Sequence, residues 1–84
     1  AKAAVPTPWA SRGTVMRTLV ETAGSRVVDT EEGIGIEEPN GSWVLAVPDQ
    51  TEAAVRLWAE GSSQQQADDL LAHWSAVIAS GVAS

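Results

Sequence analysis

Cysteine, tyrosine and phenylalanine are absent from this chain of 84 residues, and histidine and methionine each occur once. The lack of cysteine excludes a disulfide framework and metal sites built from thiolates. The single histidine, His73, has no second ligand at metal-binding spacing. We therefore expect no metal site, and we expect His73 to be an incidental residue beside the apolar face of the last helix.

Basic residues and long apolar runs are also scarce. Five lysines and arginines stand against eleven acidic residues, the net charge is -6, and the arginines are dispersed along the chain. Nucleic-acid binding requires concentrated positive charge, so this class of function is disfavoured. No apolar run approaches the ~20 residues of a membrane span, and the first residues lack the hydrophobic region of a signal peptide. We expect a cytoplasmic protein with neither nucleic acid nor membrane as a partner.

The remaining composition is that of one folded domain. The hydrophobic fraction of 44% and the charged fraction of 19% are ordinary for globular proteins. A chain of this length buries roughly 60–65% of its unfolded surface, which predicts modest stability. Residues 1–6 are small, apolar or proline and show no periodicity, so they are interpreted as a linker remnant of a longer polypeptide. The domain is expected to span residues 7–84.

Hydrophobic periodicity predicts a first helix early in this domain. Thr7 is the expected cap, Pro8 the first helical residue and Gly24 the stop, although Gly13 can delay the start. The apolar positions at helical spacing are Val15, Met16, Leu19, Val20 and Ala23.

A second helix is predicted at the end of the chain. Ser62 or Ser63 can cap it, Gln65 or Gln66 can complete a capping box, and Gly81 is expected just past its last residue. Its apolar stripe consists of Ala67, Leu70, Leu71, Trp74, Val77 and Ile78.

Strand patterns fill the region between the two helices. They cover residues 26–28, 33–37, 43–47 and 55–60, with a turn at residues 39–41. The run at 43–47 is apolar throughout and indicates an interior strand. The run at 55–60 alternates between smaller apolar residues and residues that are larger or charged, which indicates a strand with one face more exposed to solvent. The predicted fold class is therefore α+β, an antiparallel meander with both helices on one face.

The loop between the last two predicted strands carries a family resemblance. Members of the family usually have Arg-Pro-Ser-Gly-Thr-Glu-Pro in this loop, followed by a strand of the type Leu-Arg-Val-Tyr-x-Glu. The same frame in this chain has Val47 at the arginine position and Asp49 at the serine position, and its matching residues are Pro48, Thr51, Glu52, Arg56 and Glu60. The loop resembles the phosphate loop in the C-terminal domain of the α-D-phosphohexomutases, the phosphoglucomutase and phosphomannomutase family.

A second segment narrows the resemblance. Residues 7–17, Thr-Pro-Trp-Ala-Ser-Arg-Gly-Thr-Val-Met-Arg, are similar to a Pro-Trp-x-x-Lys-Gly-x-Val-Met-Arg segment. That segment occurs in bacteria where phosphohexomutase-like modules are fused behind a mannose-1-phosphate guanylyltransferase. Together the two likenesses cover most of residues 7–80.

The resemblance implies a fold described in that family as TATA-box-binding-protein-like, and a role as the last of four domains. Such a domain closes as a lid over a hexose phosphate and grips the phosphate remote from the reacting one. The phosphoserine and the magnesium ion of the reaction belong to the preceding domains, so this domain alone is expected to have no catalytic residue and no cofactor. The implied degenerate phosphate loop consists of Pro48, Asp49, Gln50, Thr51 and Glu52, with Arg56 as a possible substrate contact.

A different function remains open because the loop lacks its arginine and gains an acidic residue. Under this alternative the domain is a non-catalytic structural or regulatory module fused to a sugar nucleotidyltransferase. An unrelated small α+β interaction domain is a third possibility, since a fold does not determine a function.

The individual residues also have simpler interpretations. Arg56 can be a sheet residue paired with an acidic neighbour such as Glu60, and Thr51 and Glu52 can hold the turn through bonds to the backbone. The four tryptophans can form a carbohydrate platform or pack in the core, with Trp58 the best candidate for a ligand contact. The acidic pairs at 31–32 and 37–38 can bind a cation, but solvated charges are commoner.

Overall fold

The computed structural model describes residues 1–83 and has an α+β fold. A five-stranded antiparallel sheet has the strand order β1-β5-β4-β3-β2. The strands are β1 (Lys2–Pro6), β2 (Val27–Asp29), β3 (Ile34–Glu37), β4 (Trp43–Pro48) and β5 (Ala54–Glu60), and the helices are α1 (Arg12–Ala23) and α2 (Gln64–Ala83). Strands β2 to β5 form the predicted meander, and both helices pack on the same face of the sheet.

The first residues of the chain correct the expectation of a linker. Lys2–Pro6 forms strand β1, which pairs antiparallel with β5 along its whole length. Short side chains without an obvious period are compatible with an edge strand when a partner supplies the ladder of backbone hydrogen bonds. The amino group of Ala1 also donates to the carbonyl oxygen of Ala59 at 3.0 Å. These residues therefore belong to the domain.

Helix α1 begins later than its sequence pattern predicts. Thr7 is buried and its hydroxyl donates to the carbonyl oxygen of Val5, so it does not cap the helix. Pro8 instead leads into a short 3-10 turn at Trp9–Ser11, and α1 follows directly. The predicted stop is confirmed, since the C-cap Gly24 has φ +59°, a conformation that glycine adopts without strain.

The predicted strands are confirmed, and their alternation sets the two faces of the sheet. Buried strand residues and buried residues of both helices form one core: Val15, Leu19, Ala23, Ile36, Val44, Ala46, Val55, Leu57, Ala59, Trp74 and Ile78. The turn between β3 and β4 is also confirmed, with Gly41 at φ +88°. Strand β4 is interior, as its apolar run predicts.

Helix α2 begins with the predicted capping groups. The hydroxyl oxygen of Ser63 accepts from the backbone N–H of Gln66 at 3.1 Å, and the side chain of Gln66 accepts from the N–H of Ser62 at 2.5 Å. The helix continues through Gly81, which is buried, so the predicted end before that residue is wrong. A Cβ atom at this glycine would lie 3.2 Å from the Cα of Val15, which shows how closely the two helices approach. This packing outweighs the usual role of glycine as a helix stop.

Neither helix has the length and apolar character needed to cross a membrane, as judged over residues 1–83.

Candidate functional site

The candidate site is the β4–β5 loop, residues 49–53, which joins two central strands of the sheet. Gln50, Thr51 and Glu52 are exposed and lie outside both helices and strands. Pro48, the last residue of β4, is half-buried and pairs with Val55. A backbone hydrogen bond of 3.0 Å from the N–H of residue 49 to the carbonyl oxygen of residue 54 closes the turn. The loop is thus a compact, solvent-facing connection.

The carboxylate of Asp49 organises this loop from within. Its Oδ1 accepts from the backbone N–H of Thr51 at 2.8 Å, from the Thr51 hydroxyl at 3.0 Å, and from the backbone N–H of Glu52 at 3.0 Å. Its Oδ2 accepts from Nε of Arg56 at 2.6 Å. The N–H of Thr51, the guanidinium of Arg56 and the N–H of Glu52 together hold the pKa of the Asp49 carboxyl far below its ordinary value.

These donors are the kinds of group that bind an external anion. A phosphate is commonly held by convergent backbone N–H groups, a hydroxyl and an arginine. In this chain all of them converge on a carboxylate that belongs to the loop itself. The side chain of Asp49 is only 10% exposed, whereas that of Arg56 is 45% exposed. The loop therefore has the donors of an anion site, with an internal anion as their partner.

Arg56 forms its ion pair with Asp49, not with Glu60 as we considered from the sequence. Thr51 takes the turn-holding role, because its hydroxyl and its N–H both bind Asp49. Glu52 contributes its backbone N–H and carbonyl oxygen, and its exposed side chain has no hydrogen bond within residues 1–83. Gln50 is exposed and likewise has no side-chain partner there. Of the loop side chains, only these last two remain free.

Arg12 is the residue at this site that the sequence interpretation missed. Its Nη2 donates to the carbonyl oxygen of Asp49 at 2.6 Å and to that of Glu52 at 3.2 Å, while its guanidinium carbon lies 4.2 Å from the centre of the Trp9 ring. The basic residue after Pro-Trp in residues 7–17 was the available signal. The two segments that carry the family resemblance are therefore in direct contact.

A cavity lies at the opposite end of β4, away from the loop. Its volume is about 450 Å³, and it is lined by polar groups that include Arg26, Glu38, Gln66 and His73. Arg26 pairs with Glu38 at 2.9 Å and lies over the ring of the buried Trp74. Arg26, the β3–β4 turn and the first half of α2 line this cleft.

The acidic pairs and the tryptophans do not form a single site, although Trp43 and Trp58 share one face of the β4–β5 pair. Among residues 1–83, no group of three or more histidine, aspartate or glutamate side chains is arranged to hold a metal ion. Trp74 lies in the core, while Trp9 and Trp43 are 54% and 37% exposed. Trp58 is half-buried on the same strand and face as Arg56, as its alternation predicts.

No protein-family model matches the sequence, and a comparison with curated proteins gives no match either.

Proposed function

We propose that this chain is the C-terminal, lid-type domain of a phosphomannomutase- or phosphoglucomutase-like protein, with the TATA-box-binding-protein-like fold of that family. In such a cytoplasmic parent, hexose 1- and 6-phosphates are interconverted through a phosphoserine. The preceding domains are the partners of this domain, and they supply the phosphoserine and the magnesium ion. The isolated domain is not catalytic, and the β4–β5 loop faces the phosphate of the substrate.

One observation carries this proposal: four hydrogen-bond donors of the loop and of Arg56 converge on a single anionic group. Three of these bonds are local to the loop, and the fourth comes from the neighbouring strand β5. The resemblance of residues 7–17 and 47–60 to the family adds support, since Arg12 connects these two segments. The donor set therefore has the chemistry that a substrate phosphate requires.

The Asp49 carboxylate limits what this loop can bind in its present form. A phosphate approaching the loop meets a like charge and must compete for donors that are already hydrogen-bonded. The position of the family's loop arginine is occupied by Val47, which pairs with Arg56 in the sheet register and donates no side-chain hydrogen bond. We therefore expect only weak affinity for hexose phosphate in the isolated domain.

The same carboxylate favours a second candidate function, a non-catalytic structural or regulatory module fused to a sugar nucleotidyltransferase. A loop that supplies its own anion keeps its shape without a ligand. In that case the turn stabilises the domain, and the domain has its structural or regulatory role in the fusion protein through contacts made by its surface.

A titration followed by amide chemical shifts separates the two candidates. Mannose 6-phosphate and, in parallel, inorganic phosphate are added to the wild-type domain and to three variants. Asp49→Ser removes the internal anion, Asp49→Ser with Val47→Arg also adds a cation beside Arg56, and Glu21→Ser removes one exposed acidic charge from α1 as the matched control.

Saturable shifts of residues 49–52 in the wild type support the lid function. A silent wild type with phosphate binding in both Asp49 variants, but not in Glu21→Ser, supports the second candidate. If no variant binds either ligand while its fold is retained, the β4–β5 loop has no anion-binding geometry, and the phosphohexomutase proposal fails.

A further inference from the structure

One face of the sheet has no covering layer within residues 1–83. Both helices pack on the opposite, inner face, where Val44, Ala46, Val55 and Leu57 are buried. The side chains that alternate with these point outward and form what we call the outer face: Lys2, Ala4, Val28, Glu37, Trp43, Leu45, Val47, Arg56, Trp58 and Glu60. Val28 and Trp43 are 42% and 37% exposed. Two shallow depressions, of about 320 and 330 Å³, lie on this face.

The sheet register gives the outer face a defined pattern. A central row crosses the strands and consists of Lys2, Trp58, Leu45, Gly35 and Val28. On one side of this row lie Glu60, Trp43 and Glu37, and on the other side lie Arg56, Val47 and Ala4. Opposite charges thus flank the central row on β5, with Arg56 two residues before and Glu60 two residues after Trp58.

We infer that the outer face binds a second copy of this chain, with the two-fold axis of the dimer along the central row. Rotation about this axis places each strand over the same strand of the other copy, with the two strands running in opposite directions. Glu60 of one copy then lies over Arg56 of the other, and Trp43 lies over Val47. Sheets that pack face to face lie about 10 Å apart, a distance that such side chains can fill.

Charge complementarity supports this occupant. Each dimer brings together two Glu60–Arg56 pairs, one on either side of the axis. Arg56 binds Asp49 through Nε, which leaves its two Nη groups for the partner. Lys2 lies on the edge strand, so its ammonium can extend into water when the two central rows meet.

The area of the face predicts a weak, reversible dimer. Five strands spaced at about 4.8 Å give a width of about 24 Å, and a length of about 20 Å gives roughly 480 Å² per copy. The total of about 1,000 Å² falls below the usual range for stable complexes. Each copy also carries a net charge of -6, which opposes association and is screened by salt. We expect a dissociation constant of about 0.1–1 mM at physiological salt.

Sedimentation equilibrium and NMR translational diffusion, from about 10 µM to about 1 mM protein, measure this association. Leu45→Lys places a charge in the central row and should raise the dissociation constant at least about tenfold, because a buried unpaired charge is costly. Val20→Lys, at a residue 41% exposed on α1, is the matched control and should leave dimerisation intact.

A pair of charge reversals tests the orientation. Glu60→Lys and Glu21→Lys both change the net charge by +2 and thereby reduce the overall repulsion between copies. Glu60→Lys should nevertheless weaken the dimer about two- to fivefold, since it places a lysine over Arg56, while Glu21→Lys should strengthen it slightly. Both residues are exposed, so the domain should remain folded, as circular dichroism can verify.

A wild-type domain that stays monomeric at the highest concentration overturns the inference. Equal effects of Glu60→Lys and Glu21→Lys refute the two-fold arrangement. Equal effects of Leu45→Lys and Val20→Lys refute the use of this face.

Discussion

Arg12 is the link between helix α1 and the β4–β5 loop, and its replacement tests whether that link holds the loop. Its 2.6 Å bond to the Asp49 carbonyl oxygen involves a charged donor, and such bonds contribute about 1.5–3 kcal/mol. The longer, exposed bond to Glu52 adds little, and the contact with the Trp9 ring adds about 0.5–1 kcal/mol. However, Nε of Arg12 is buried without a hydrogen-bond partner in the described chain, which costs about 1–3 kcal/mol.

These opposing contributions give different expectations for two substitutions. Arg12→Ala removes all of them and should lower the free energy of unfolding by about 1–2 kcal/mol, or the melting temperature by about 4–16 °C. Arg12→Lys keeps one charged donor for the loop and eliminates the unpaired Nε. Lysine should therefore lie within about 1 kcal/mol of the wild type. Lysine is also the residue at this position in the family segment that residues 7–17 resemble.

Urea unfolding followed by circular dichroism measures the stabilities, and amide hydrogen exchange of residues 49–52 reports on the loop. Arg17→Ala is the control, since Arg17 is an exposed arginine of the same helix without a hydrogen bond in the described chain. We expect faster loop exchange in Arg12→Ala only. An unfolding midpoint for Arg12→Ala equal to that of Arg17→Ala, or a cost for Arg12→Lys as large as for Arg12→Ala, would refute this account of Arg12.

Three other substitutions have defined outcomes. Gly33→Ala places a Cβ against the carbonyl oxygen of Ala46 and should cost about 1–3 kcal/mol or more in urea unfolding, whereas Gly13→Ala meets open space and should be neutral or stabilising by up to about 1 kcal/mol. The lowered pKa of Asp49 means that its contribution to stability is present above about pH 4 and is lost as the pH falls. The urea unfolding midpoint of Asp49→Asn should therefore change less between about pH 2 and 5 than that of the wild type. An equal change in both proteins would contradict this. Ser63→Ala removes the acceptor at the start of α2 and should cost about 1 kcal/mol, while an unaffected midpoint would show that the cap is dispensable.

Local patterns predict most of the fold. Alternation and apolar runs identify β2 to β5 because each strand pairs with a neighbour along the chain, so turn residues and side-chain period are sufficient. The C-terminal helix is equally evident from its stripe and its cap. Strand β1 is not predictable in this way, since its strand partner in the described sheet, β5, lies 48 to 56 positions away in the sequence, from Pro6↔Ala54 to Lys2↔Trp58. The end of α2 is missed for a related reason, because the approach of Val15 decides it.

The candidate site is predicted in position but not in its contacts. The loop residues and Arg56 follow from the resemblance, and the structure brings them together. The inward direction of the Asp49 carboxylate depends on turn geometry that residue types alone do not specify. Arg12 depends on the packing of α1 beside the loop, which becomes visible only in three dimensions.

Strand β1 has a consequence for any shortened form of this protein. A fragment that starts at Thr7 loses the ladder that covers one side of β5, and it leaves the backbone of an inner, apolar strand unpaired. With β1 in place, the edge strand of the sheet carries Lys2, which is charged, and Pro6, which has no N–H, and both discourage the addition of a further strand. Removing residues 1–6 would thus expose a strand edge of the sheet that can pair with strands of other molecules and lead to aggregation.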